Sequence, residues 1–157
     1  MEWLGRGPHE NYIDRNTSAY VGHYKGSVAE QYFAYDRPQE NGNKTDVRWM
    51  SLTDQQGVGL MAIGSPYIST SAYLFPNEDL DEPGTRKSQR HTCDVQPKDM
   101  VTWNIDWKQM GVGGDTSWGA YPHQPYLIPA QRASFSFRFC PAKENGATGN
   151  QQYLNFK

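Results

Sequence analysis

The sequence is short of the features that would place it at a membrane, on nucleic acid or in a disulfide scaffold. No apolar run approaches the roughly 20 residues a helix needs to cross a bilayer. The opening Met-Glu-Trp-Leu-Gly-Arg lacks the charged-then-apolar pattern of a signal peptide. Neither sign of charge is in excess: 15 Lys and Arg stand against 17 Asp and Glu, a formal net of −2, with no basic run. Nucleic-acid binding rests on clustered Lys and Arg neutralising phosphates, so this balance argues against such a partner. Two cysteines, Cys93 and Cys140, are too few for a disulfide framework. Both lie in or beside strand-like sequence and are expected to be small buried hydrophobes. The four histidines, His9, His23, His91 and His123, are scattered. With no His-x-x-x-His or Cys-x-x-Cys spacing, they argue against zinc. Gly111-Val112-Gly113-Gly114 lacks both a following helix and a Gly-Lys-Ser/Thr ending, so it is not a phosphate loop.

What is abundant is aromatic surface and period-two alternation. Five Trp, ten Tyr and six Phe exceed what a plain core of 157 residues requires, and fit a surface for sugars or another protein domain. Val101, Trp103, Ile105 and Trp107 alternate with polar residues in a half-buried strand, and Phe135, Phe137 and Phe139 do so in a second. Weaker strands are expected over Thr45–Thr53, Val58–Ile63, Tyr67–Tyr73 and His91–Val95, with a helical turn at Pro76–Glu82. Pro and Gly clusters such as Gly64-Ser65-Pro66 punctuate them. No long 3.6-residue period occurs, so the expected fold is all-β, an antiparallel β-sandwich. Its domain is taken as residues 1–141, leaving 142–157 as either a polar tail or, through Tyr153, Leu154 and Phe156, a closing strand. Trp3–Pro8 reads as a dense turn-like segment. A chain that opens inside structure is expected to continue upstream in its native gene.

The most informative stretch is Met110–Gly119, where Trp118 follows Gly113-Gly114-Asp115-Thr116-Ser117. Glycines leave no side chain to block a ligand, and an indole on such a turn offers the flat apolar face on which a sugar ring stacks. The alternative reading of these residues by themselves is a core tryptophan closing one end of the fold. Glu10, Asp14 and Glu40 sit in turns beside Asn, Gly or Pro, and are read as acceptors of backbone N–H bonds rather than catalytic acids. Arg15, Arg37 and Arg48 are read as braces for such carboxylates. The tyrosines between Tyr12 and Tyr35 are explained by strand packing, and any left exposed favour self-association.

Four segments together resemble the carboxyl-terminal domain of large bacterial LacZ-type β-galactosidases, glycoside hydrolase family 2. They are Trp3–Tyr12 with Asp14-Arg15, Arg37–Gly42, Asn104-Ile105-Asp106 running into Met110–Gly119, and Phe135–Phe139, in matching order and spacing to about Pro141. The resemblance implies a supersandwich, the fold of galactose mutarotases, with this chain its later half. It implies that the upstream half-sandwich and a catalytic TIM barrel are partners. It also implies that Trp118 enters the barrel's active-site mouth as a stacking platform at the leaving-group side of a β-galactoside, with Gly113, Gly114, Asp115 and Ser117 supporting the loop. Both catalytic glutamates and the magnesium ligands, with sodium a further candidate, belong by this resemblance to the barrel. No cofactor and no catalytic residue are then expected in this chain, which by itself should be inactive but part of a homo-oligomer. The compartment is left open between bacterial cytoplasm and periplasm. A stand-alone carbohydrate-binding module, using Trp118 with Tyr121 or Tyr126, is the alternative. A mutarotase-like enzyme is the third reading, and it needs a His and a Glu on one cleft that no spacing here compels.

Overall fold

The computed structural model describes residues 1–80, 91–116, 118–142 and 148–156. Period-two alternation builds one six-stranded antiparallel sheet. Its strands are β1 (Glu2–Gly7), β2 (Tyr20–Lys25), β3 (Lys44–Thr53), β4 (Gly59–Tyr73), β5 (Thr102–Asp106) and β6 (Ser136–Ala142). They run in the order β2-β1-β3-β4, and the far edge of β4 carries two partners end to end. There β6 pairs with Gly59–Ser65 and β5 with Ser69–Tyr73, so residues 107–135 leave and rejoin the sheet at the middle of β4. The expected all-β antiparallel class holds. Among the described residues there is a single sheet, and the second sheet of the expected sandwich is not among them.

One face of the sheet is covered by an α-helix, α1 (Gly149–Phe156), not by a closing strand. The reason is local. Thr148 and Gln151 form a reciprocal cap, with the Thr148 N–H donating to Gln151 Oε1 at 2.9 Å and the Gln151 N–H donating to Thr148 Oγ1 at 3.3 Å. A helix of eight residues does not persist alone in water, so docking sustains it. Tyr153 and Phe156 join Leu4, Trp49, Met61, Ile63, Cys140 and Ala142 in one hydrophobic cluster. Trp49 Nε1 donates to Asn150 Oδ1 at 2.9 Å, and the Tyr153 hydroxyl to the Pro66 carbonyl at 3.1 Å. On the opposite face, Trp3, Val47, Met50, Ala62 and Ile68 are buried under Tyr24, Trp103, Ile105 and Phe135. That face ends in exposed Leu60, Phe137 and Phe139.

Four local expectations are corrected. Trp3–Gly7 is strand, not turn: its inward positions are Trp3, Gly5 and Gly7, so glycine hides the alternation. Gly5 is needed there, since a Cβ would lie 2.7 Å from Val47 Cγ2 across the sheet. Val58–Ile63 and Tyr67–Tyr73 are halves of the one strand β4, which runs straight through Gly64-Ser65-Pro66. Thr92–Asp94 is a 3-10 turn, its Asp94 carboxylate accepting the His91 N–H at 2.8 Å, and Cys93 within it is exposed. Cys140 is buried as expected.

Candidate functional site

The glycine-rich segment after β5 is built on a turn near the amino terminus. Tyr12 and Arg15 exchange backbone hydrogen bonds of 2.8 and 3.2 Å, which presents the Asp14 carboxylate. That carboxylate accepts the N–H groups of Val112 at 3.2 Å and Gly113 at 2.8 Å. The Gly111 N–H donates to the Tyr126 carbonyl at 2.8 Å, tying the outgoing limb to the returning one. Two glycines are dictated by contact rather than by ligand clearance. A Cβ on Gly111 would sit 2.6 Å from Asp14 Oδ2, and one on Gly114 2.2 Å from the Ala120 carbonyl oxygen. Asp14 therefore does the anchoring expected of a turn carboxylate, across nearly a hundred residues of sequence.

The turn that holds Asp14 is itself pinned to β3. Buried Asn11 accepts the Thr45 N–H at 2.9 Å and the Thr45 hydroxyl at 2.5 Å, and donates to the His9 carbonyl at 3.0 Å. Glu10 accepts the Gly42 N–H at 2.9 Å and the Tyr12 hydroxyl at 3.0 Å, and also bonds the Tyr35 hydroxyl. Burial and the Glu10 charge together push the Tyr12 phenol above its usual range, and the Glu10 hydrogen bond, with burial, lifts Tyr35 to about 12. Glu40 takes side-chain amides, Gln109 Nε2 at 3.0 Å and Asn104 Nδ2 at 3.5 Å. Arg48 bonds the Asp46 carbonyl at 2.6 Å and lies over the Tyr67 ring. The arginine that pairs with the Asp46 carboxylate is Arg6, at 2.6 Å, and it also reaches the carbonyls of Asn16 and Ala19. Asp46 needs this support because it holds φ at 53° at the β3 bulge, a region non-glycine residues rarely adopt.

On this base Trp118 stands clear of the fold. It is 90% exposed, with Tyr121 exposed three residues on. The core-residue reading of Trp118 does not hold. Asp115 is exposed, and its Oδ1 meets His123 Nε2 at 2.7 Å. Gly113 and Gly114 lie in the anchored base, and Ser117 lies outside the described residues. Sequence reasoning passed over His123, whose only signal is its place a few residues past Trp118, and it treated Asp14 as one turn acid among several.

A concavity of about 780 Å³ lies between β1, β2, β3 and the start of α1 and is lined by Glu2, His23, Lys25, Trp49, Asp54 and Asn150. His23 and Glu2 do converge there, but upon each other at 2.6 Å, with no gap for a reacting atom between them. An acid and a base that work on a sugar must each reach a substrate atom. Among the described residues no three of His, Cys, Asp and Glu come together as a metal-holding group.

Residues 1–139 match the family described as "Beta galactosidase small chain". The chain belongs to that family. The match spans all six strands up to Phe139 of β6 and includes the Trp118 segment, while α1 lies beyond it. A β-galactosidase of Priestia megaterium is 44% identical over 133 residues, covering 85% of this chain and 12% of that relative. A β-galactosidase of Vibrio cholerae is 37% identical over 129 residues, 82% of this chain and 11% of the relative. One from Pseudoalteromonas haloplanktis is 32% identical over 136 residues, 87% and 12% respectively. This β-galactosidase small-chain sequence therefore spans about an eighth of the length of these relatives, in which it is part of a much larger chain.

Proposed function

We propose that this chain is the non-catalytic carboxyl-terminal domain of a retaining β-galactosidase acting on terminal β-D-galactosides such as lactose, and that Trp118 supplies an aromatic platform for the sugar at the leaving-group side of the barrel's active site. The observation that carries this reading is a large indole held almost wholly in solvent on a loop anchored by Asp14. Burying such a ring against a pyranose recovers apolar contact that the isolated chain leaves unmade. By analogy with aromatic–base stacking this contributes about 1–3 kcal/mol. It orients substrate without using a charge, so it acts on binding more than on bond cleavage.

Retaining hydrolysis requires two carboxyl groups roughly 5 Å apart, one acid/base and one nucleophile. In this reading both glutamates, with magnesium and any sodium, belong to the barrel. The exposed Leu60, Phe137 and Phe139 face is the docking surface for the upstream half of the supersandwich, and gives the separated chain a tendency to self-associate.

The test is Trp118→Ala in the full-length enzyme that carries this domain. KM for an aryl β-galactoside should rise about tenfold with kcat within about threefold. An unchanged KM overturns the platform role. Purified 157-residue chain should not hydrolyse a chromogenic galactoside, and turnover by it refutes the non-catalytic reading. Quenching of the chain's tryptophan fluorescence by millimolar galactose would favour a self-sufficient carbohydrate-binding module instead.

A further inference from the structure

Trp118 makes no hydrogen bond or ring contact with any other described residue, so packing does not set the direction of its ring. Gly119 beside it has φ at +151° and open space around it. Orientation must then come from the neck of the loop. Among the described residues three contacts cross that neck: the Gly111 N–H to the Tyr126 carbonyl, the backbone approach of Gly114 to Ala120, and the 2.7 Å contact of Asp115 Oδ1 with His123 Nε2. The first lies at the base, next to the Asp14 anchor. The third joins positions three residues before and five after Trp118, and is the side-chain tie between the two limbs.

We infer that Asp115 and His123 form a clasp that holds the Trp118 tip in one orientation, which makes His123 a positioning residue for the sugar platform. The inference rests on the reading of Trp118 given above. The pair is exposed on both sides, so it adds little to fold stability. Its effect is on order. An indole already oriented meets the substrate without first giving up its own freedom, and that cost falls on binding if the clasp is opened. Nε2 serves as the donor whether the ring is the Nε2–H tautomer or fully protonated, and the carboxylate accepts in either case.

Two measurements test the clasp. In the 157-residue chain, the order parameter of the Trp118 indole N–H by nitrogen relaxation should fall in His123→Ala and recover in His123→Gln, whose amide keeps a donor of similar reach. In the full-length enzyme, His123→Ala should raise KM for an aryl β-galactoside about two- to tenfold with kcat nearly unchanged, and His123→Gln should restore it. Unaltered indole order in His123→Ala overturns the clasp. A loosened indole with unchanged KM, while Trp118→Ala still raises KM, overturns the positioning role and leaves the platform intact. Failure of Trp118→Ala to move KM removes the platform, and the role of His123 goes with it.

Discussion

Trp49 and Trp118 are the same side chain put to opposite uses. Trp49 is 3% exposed, its indole N–H satisfied by Asn150 and its ring laid against Gly149 so closely that a Cβ there would come within 2.4 Å. Trp118 is 90% exposed, beside Gly119, where an added Cβ would meet nothing within 4 Å beyond its chain neighbours. The first glycine makes room for a ring inside the fold, and the second leaves a ring outside it. An aromatic beside glycine is therefore ambiguous until the partner across space is known. Burial also divides the two regions energetically: a change at Trp49 is felt by the fold, and one at Trp118 leaves the packed interior untouched.

Substitutions can break that contrast in order of size. Trp49→Ala should cost about 3–5 kcal/mol of unfolding free energy, by emptying the cluster beneath α1 and orphaning Asn150, and urea denaturation reads it. An effect below about 1 kcal/mol would mean that α1 does not seal that face. Asn11→Ala should cost about 2–3 kcal/mol, because the Thr45 N–H and hydroxyl and the His9 carbonyl lose their partner in the interior. It should also loosen the base of the Trp118 loop, seen as faster amide exchange at Val112 and Gly113.

The buried ammonium of Lys44 sharpens the comparison through pH. Desolvation lowers it to about 8, and its hydrogen bond to the Gly42 carbonyl and its place over Trp3 do not offset that. A group whose folded pKa lies below its unfolded value of 10.5 binds its proton more readily in the unfolded chain across that interval. Stability should therefore climb as pH rises from about 8, by at most about 1.4 kcal/mol per pH unit. Above pH 10 the raised phenols of Tyr12, Tyr35 and Tyr73 act in the opposite sense, since the unfolded chain ionises first. Lys44→Met should flatten the climb between pH 8 and 10 in a denaturation series. A climb that survives the substitution assigns it to another group. Smallest of all, Trp118→Ala should shift unfolding free energy by less than about 0.5 kcal/mol, as expected for an exposed side chain. A larger loss would place its ring in the fold's own packing.

Strand-forming alternation around Trp49, Met61, Trp103 and Phe137 was legible directly, since side chains on a pleated strand repeat every two residues. Where glycine occupied the inward positions, as at Gly5 and Gly7, the same pattern was invisible, and β2 with its largely exposed residues carried too little contrast for its bounds to be drawn, although strand packing accounted for its tyrosines. The helix at the end was written in Thr148 and Gln151 but outweighed by strand-like Tyr153 and Phe156. At the site, Gly113, Gly114, Asp115 and Trp118 could be picked out from composition and resemblance. Asp14 and His123 could not be linked to them that way, because hydrogen bonds between distant segments leave no periodic trace.

By itself the sequence determined the class of fold, the family and the presence of an aromatic on a glycine-rich turn, all properties of local pattern and chain order. Tertiary structure alone decided that one sheet face is sealed by α1, that Asp14 rather than another turn acid anchors the loop, and that Trp118 points to solvent while Trp49 does not. Burial and long-range hydrogen bonding are relations between residues far apart in the chain, and they exist only once the chain has closed upon itself.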